Sequence, residues 1–143
     1  LKMESREFYF ELCRLLNSLN NSYDKYAKRN GIVSNNLLWL VYALSDGKEH
    51  TQLEMCNHTS LPKTTVNTLI KDLENNQYVT LKKGIDKRER LVSLTEKGKT
   101  YANNLLKDLF DKEDEIFLKN KKLALQFIDN FQKFDELLKI LEI

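Results

Sequence analysis

Apolar residues recur along this chain in two different rhythms, and the change between them marks out its architecture. Near the N-terminus Phe8, Leu12, Leu15, Leu19 and Tyr26 follow alternating steps of four and three, with Ser22 on the missing beat. That spacing places them on one face of a long amphipathic helix. The C-terminal stretch repeats it with Phe127, Phe131, Phe134, Leu138 and Leu141, and a second row of Leu123, Ile128 and Leu137 widens the stripe. Such stripes need cover. They can pack on their own domain or against a second copy; the middle of the chain is small and has its own core to fill, which favours a two-fold dimer of intertwined terminal helices. Phe8, Leu12, Leu15, Phe127, Phe131, Phe134, Leu138 and Leu141 are the expected interface.

Between the stripes the segments are short. Gly31 closes the first helix, and Ser34 is placed to cap a second that carries Leu37, Leu38, Val41, Tyr42 and Leu44. Asp46-Gly47 signals a turn. Thr51-Gln52-Leu53-Glu54 fits a capping box, so a short helix is expected from Gln52 to about His58. After Thr59-Ser60-Leu61, Pro62 suits the first turn of another helix. That helix turns Val66, Leu69, Ile70 and Leu73 inward and Lys63, Thr64, Asn67, Thr68 and Lys71 outward. Beyond Asn75-Asn76-Gln77 the period falls to two: Val79 and Leu81, then Leu91 with Ser93 opposite, read as two strands joined near Gly84. Helical spacing resumes from Lys99 through Tyr101, Leu105, Leu106, Leu109 and Ile116, with Gly98 in the first turn. Helix, helix, then hairpin is the order of a winged helix-turn-helix. The expected fold is mainly α with a small β-hairpin wing, flanked by N- and C-terminal dimerisation helices. Residues 1–143 form one domain, with a DNA-binding lobe at 34–98 and a helical dimerisation region at 1–30 and 99–143.

Charge sharpens this picture. The net charge of +2 is too small to signal nucleic-acid binding by itself. Its distribution says more: Lys63, Lys71, Lys82, Lys83, Lys87, Arg88 and Arg90 are opposed in that segment only by Asp72, Glu74, Asp86 and Glu89, whereas Asp108 to Glu115 leans acidic. Asparagine can pair with adenine, threonine can meet a base edge or a thymine methyl, and lysine can take guanine or phosphate. A guanidinium at a hairpin tip can enter a narrow minor groove. A solvated helix face would explain the polar residues of the second short helix, but not the cationic hairpin beside it.

Asp86-x-Arg88, five residues, then Leu94-Thr95-x-x-Gly98 resembles the signature of the MarR family of bacterial transcriptional regulators. Thr51-Gln52-x-Glu54-Met55-Cys56 resembles the first helix of that family's DNA-binding motif, and Leu61-Pro62-Lys63-Thr64-Thr65-Val66 the start of its recognition helix. The resemblance covers nearly the whole chain. It implies a homodimeric, cytoplasmic, ligand-responsive regulator, a repressor, that binds double-stranded DNA at a pseudo-palindrome. Gln52, Pro62, Lys63, Thr64, Thr65, Asn67, Thr68, Lys71, Lys83, Asp86, Lys87, Arg88 and Arg90 then form the DNA-contact set, with Asp86 holding the Arg88 fork. The resemblance also implies a small-molecule pocket, for which Tyr23, Tyr26, Trp39, Tyr42 and Tyr101 are the aromatic candidates. Ser60 and Gln77 depart from the pattern, standing where glycine is usual; Asn76 is the residue expected to take the left-handed conformation.

Other chemistry finds little material. Cys13 and Cys56 are far apart and form no C-x-x-C pair, which fits a reducing compartment. Cys13 lies in the helix where some family members sense oxidants, leaving a thiol-based redox regulator as an alternative. Cys56 reads as a buried filler. A winged helix serving as a protein-interaction module is the other alternative. His50, His58 and Cys56 lack a carboxylate pattern to complete a metal site, no cofactor is expected, and no catalytic motif is present. The opening Leu1-Lys2-Met3-Glu4-Ser5 lacks the apolar core of a signal peptide, and no run approaches the ~20 apolar residues that span a bilayer.

Overall fold

The computed structural model describes residues 4–32 and 34–142; Leu1, Lys2 and Met3, on which the signal-peptide reading partly rests, lie outside them. The chain divides into two compact units, Leu1–Leu105 and Leu106–Ile143.

The first unit opens with α1 (Ser5–Arg29), started by a reciprocal capping box between Glu4 and Glu7. It stops where Gly31 takes φ +75° and the Ile32 amide returns to the Ala27 carbonyl at 2.9 Å. Ala27 is its one buried residue. Helix α2 (Asn35–Leu44) is the reverse case, burying Leu38, Leu40, Val41 and Leu44. Its N-cap is Ser34, as expected, although the hydroxyl makes no capping bond. The Asp46-Gly47 turn leads to a two-residue strand, β1 (His50–Thr51), which the periodicity did not foretell.

Helix α3 (Gln52–Thr59) begins with the expected capping box: the Glu54 amide donates to Thr51 Oγ1 at 3.0 Å and the Thr51 amide to Glu54 Oε2 at 3.1 Å. Ser60 then takes φ 55° and Pro62 is the N-cap of α4 (Lys63–Asn75), so the proline precedes the first turn instead of occupying it. Val66, Ile70 and Leu73 are buried beneath α4. At its end Gln77, not Asn76, adopts the left-handed conformation, with φ 62°. Asn76 keeps a negative φ, and its side-chain amide donates to the Asp72 carbonyl.

Strands β2 (Val79–Lys83) and β3 (Arg90–Leu94) are antiparallel, and β1 adds to the far side of β3, giving the order β1-β3-β2. Leu81 and His50 both pair with Val92, and Val79 pairs with Leu94. The inward beat of β3 is therefore Val92, which is fully buried, and not Leu91 as the alternation suggested. Helix α5 (Glu96–Lys119) runs from this unit into the next.

The second unit contains the remainder of α5, then α6 (Lys121–Leu138) and a 3-10 turn (Lys139–Glu142). Asn120 separates the helices by accepting the first bond of α6 from the Ala124 amide while its own side chain returns to the Ile116 carbonyl. No residue of α6 is buried. Among the described residues, no helix is long and apolar enough to cross a membrane.

Candidate nucleic-acid interface

Helix α4 is divided lengthwise. Its buried row of Val66, Ile70 and Leu73 leaves Lys63, Thr64, Asn67, Thr68 and Lys71 exposed, while Thr65 is half-buried. Pro62 is exposed at its start. Thr68 Oγ1 donates to the Thr64 carbonyl at 2.9 Å, tying one hydroxyl to its own helix. Gln52 is half-buried at the first position of α3.

The hairpin supplies the other cations. Lys83, Lys87, Arg88 and Arg90 are all exposed around the turn. Asp86 accepts from the Arg88 backbone amide at 3.1 Å, so it holds the turn and not, as expected, the guanidinium fork. The Arg90 guanidinium folds back on the carbonyls of Lys87 and Glu89 at 3.4 and 3.2 Å. Lys82 pairs with Glu49 at 2.8 Å, bracing β2 against the loop before β1. A recess of about 310 Å³ lies between α3, the start of α4 and the hairpin. Its walls include Gln52, Lys63, Arg88 and Arg90 from the expected set, together with Leu53, Cys56 and Glu89, which lie outside that set. Cys56 is half-buried here and is not the enclosed filler expected of it. The recess is made by elements distant in sequence, so no local pattern could show it.

At the root of the hairpin His50 is buried, with Nε2 donating to the Asp46 carboxylate at 2.8 and 2.9 Å. Its Nδ1 lies 3.4 Å from Glu54, and its ring meets that of His58 edge-on. Among the described residues, no group of three or more histidine, cysteine or acidic side chains is arranged to hold a metal ion.

The five aromatic candidates do not all converge. Tyr23 packs on Trp39 with ring centroids 4.5 Å apart, and Trp39 on Tyr42 at 5.6 Å. Tyr26 instead donates its hydroxyl to the Leu105 carbonyl at 2.7 Å. Tyr101 stacks on Tyr78 at 4.2 Å, and burial, with a contribution from Tyr78, pushes its hydroxyl pKa up.

Helices α2, α3 and α4 followed by the β2–β3 hairpin make this a winged helix-turn-helix protein. No family profile matches the chain. It is 31% identical over 98 residues to the uncharacterized HTH-type transcriptional regulator YwoH of Bacillus subtilis, a match covering 61% of this chain and 72% of that one. The structure of NMB1585, a MarR family regulator from Neisseria meningitidis, superposes with a TM-score of 0.77 at 29% identity, covering 92% of this chain and 94% of the other. Reduced AbfR bound to DNA has the same fold, with a TM-score of 0.71 at 20% identity over 96% and 99% of the two chains. The chain belongs to the MarR family of winged helix-turn-helix transcriptional regulators.

Proposed function

We propose that this protein is a dimeric, sequence-specific DNA-binding repressor acting in the cytoplasm, released from a pseudo-palindromic operator by a small molecule. The observation that carries the reading is the exposed row Lys63, Thr64, Asn67, Thr68 and Lys71 on α4, with the cationic hairpin in the same lobe. The row has the donors and acceptors to read base edges in a major groove, and the hairpin has the charge to follow the backbone or minor groove. AbfR, of the same fold, is a DNA-bound relative in this respect. Residues 34–98 are the DNA-binding lobe in this reading, and 1–30 with 99–143 the dimerisation region. Release requires a ligand that binds the release-competent form more tightly than the DNA-bound form. The Tyr23, Trp39 and Tyr42 cluster is the candidate place for it, since clustered aromatic rings suit a small, largely apolar molecule.

The test is selection of bound duplexes from a random DNA pool at about 0.15 M salt, where purely electrostatic binding is weakened. The expected result is an enriched inverted repeat with half-sites about one helical turn apart. Folded protein that enriches nothing would favour an interaction module and overturn the reading.

A further inference from the structure

We propose that Ile85 is an apolar reader of the DNA minor groove, set at the crest of the wing to favour A·T pairs where the wing lands. The inference rests on the DNA-binding reading above and adds a specificity residue to it. From Lys82 to Arg90, Ile85 is the only residue that is neither charged nor glycine. It stands wholly in water, with a relative exposure of 106%.

The turn beneath it is built. The Gly84 amide donates to the Glu89 carbonyl at 3.2 Å, the Glu89 amide to the Asp86 carbonyl at 3.0 Å, and the Arg88 amide to the Asp86 carboxylate at 3.1 Å. A Cβ on Gly84 would lie 2.9 Å from Glu89 Cβ, so the two arms close tightly there. Backbone amides of the turn and the Asp86 carboxylate are bonded within it, and among the exposed cations Ile85 presents a β-branched side chain with little rotamer freedom to lose on contact.

An exposed aliphatic group gains free energy by leaving water. The surrounding charge identifies the surface it would meet. Lys82, Lys83, Lys87, Arg88 and Arg90 outnumber Asp86 and Glu89 in this segment, which suits a polyanion better than a protein patch. In the minor groove A·T pairs present only acceptors, whereas G·C adds the guanine amino donor. An isoleucine pressed against that donor would leave it unpaired. Ile85 thus disfavours G·C by a route independent of charge, while Arg88 is drawn to the narrow groove of the same A·T tracts.

The test repeats the duplex selection with the wild type, Ile85→Ser, Ile85→Val and Arg88→Ala, then measures affinity for the enriched duplex across a salt series. Ile85→Ser is expected to weaken binding by about five- to tenfold and to lose the A·T preference where the wing lands. Its slope of log affinity against log salt should stay unchanged, because an apolar contact releases no counterion. Ile85→Val should keep most of both properties, and Arg88→Ala should lower the salt slope by about one. Wild-type affinity and composition in Ile85→Ser, with Arg88→Ala impaired, would overturn the role of Ile85 and leave the DNA reading standing. A lowered salt slope in Ile85→Ser would also overturn it, placing the effect in the neighbouring cations. If the wild type enriches a duplex and neither variant alters its binding, the wing is not set against DNA and the role of Ile85 falls while the DNA reading stands; if the wild type enriches no duplex, both readings fall.

Discussion

Thr95 and Gly98, the most recognisable residues of the signature, act as a joint. Thr95 Oγ1 donates to the Gln77 carbonyl at 2.6 Å and accepts from the Gly98 amide at 2.9 Å, while the Thr95 amide donates to the Tyr78 carbonyl at 3.0 Å. A Cβ at Gly98 would sit 1.8 Å from that same carbonyl oxygen. Gly98→Ala must therefore push the start of α5 away from β2, and a loss of roughly 1–3 kcal/mol is expected in urea unfolding. A variant as stable as the wild type would mean that the joint opens without cost. Gln77 pays a conformational penalty at the same joint, since φ 62° brings its Cβ close to a backbone oxygen. Gln77→Gly relieves that strain but loosens the unfolded chain, leaving an expected net gain of about 0.5 kcal/mol. Its side chain is exposed, so no packing is lost. A lower unfolding midpoint than wild type would show the side chain to be worth more than the strain it carries.

At the scale of elements, legibility followed periodicity. Helix α4 could be read because Val66, Ile70 and Leu73 repeat on one side and the polar residues on the other, and α3 because Thr51 and Glu54 cap it locally. Strand β1 could not, because two residues carry no period and are strand only through their pairing with Leu91 and Val92. The same third strand helps to enclose Val92, which made the choice between Val92 and Leu91 a tertiary matter. The break at Asn120 carries neither proline nor glycine to announce it. The DNA-contact set was legible as residue types, whereas the inward bonds of Asp86 and Arg90 and the recess beside α3 depend on how the turn closes. His50 is a further case: it is buried in β1 with the carboxylates of Asp46 and Glu54 beside its two ring nitrogens. Burial tends to raise the Asp46 carboxyl pKa, but the His50 hydrogen bond, the Lys48 amide and the charges of both residues outweigh it, holding the carboxyl below its ordinary 3.8. A depressed carboxylate stabilises the fold above its unfolded value, and that contribution disappears as pH falls through the folded value. Asp46→Asn should thus be less stable than wild type near neutral pH, and the difference should shrink as pH drops below about 4. Denaturant midpoints taken across that range check it; a difference independent of pH would remove the carboxylate from the account.

At the scale of the whole molecule, large apolar side chains among the described residues stand in water on both terminal helices. On α1, Phe8 and Leu15 are exposed and Leu12 is half-buried; on α6, Phe127 is 64% exposed and Ile128 51%, while Phe131, Phe134 and Leu138 are half-buried. Leu141, in the closing turn, is 76% exposed. Exposed apolar rows of this kind suit an interface, and the periodic spacing on each helix suits burial by another helix more than by a flat surface. The charged residues of α6 and its closing turn point the same way: Asp129 pairs with Lys133 and Glu136 with Lys139 at the start of that turn, leaving the apolar rows to other contacts. A second copy is the cover that the proposed function calls for, because a protein that reads an inverted repeat must itself be two-fold. Phe127→Glu would place a charge in such an interface, where burial without a partner is costly, whereas in an isolated chain it would cost only the exposed edge of a ring stacked on Phe131. Sedimentation should find the wild type dimeric and Phe127→Glu shifted toward monomer at equal concentration, with DNA affinity lost in parallel because one lobe reads only half a site. A monomeric wild type, or a variant whose dimer is undisturbed, would remove α6 from the interface.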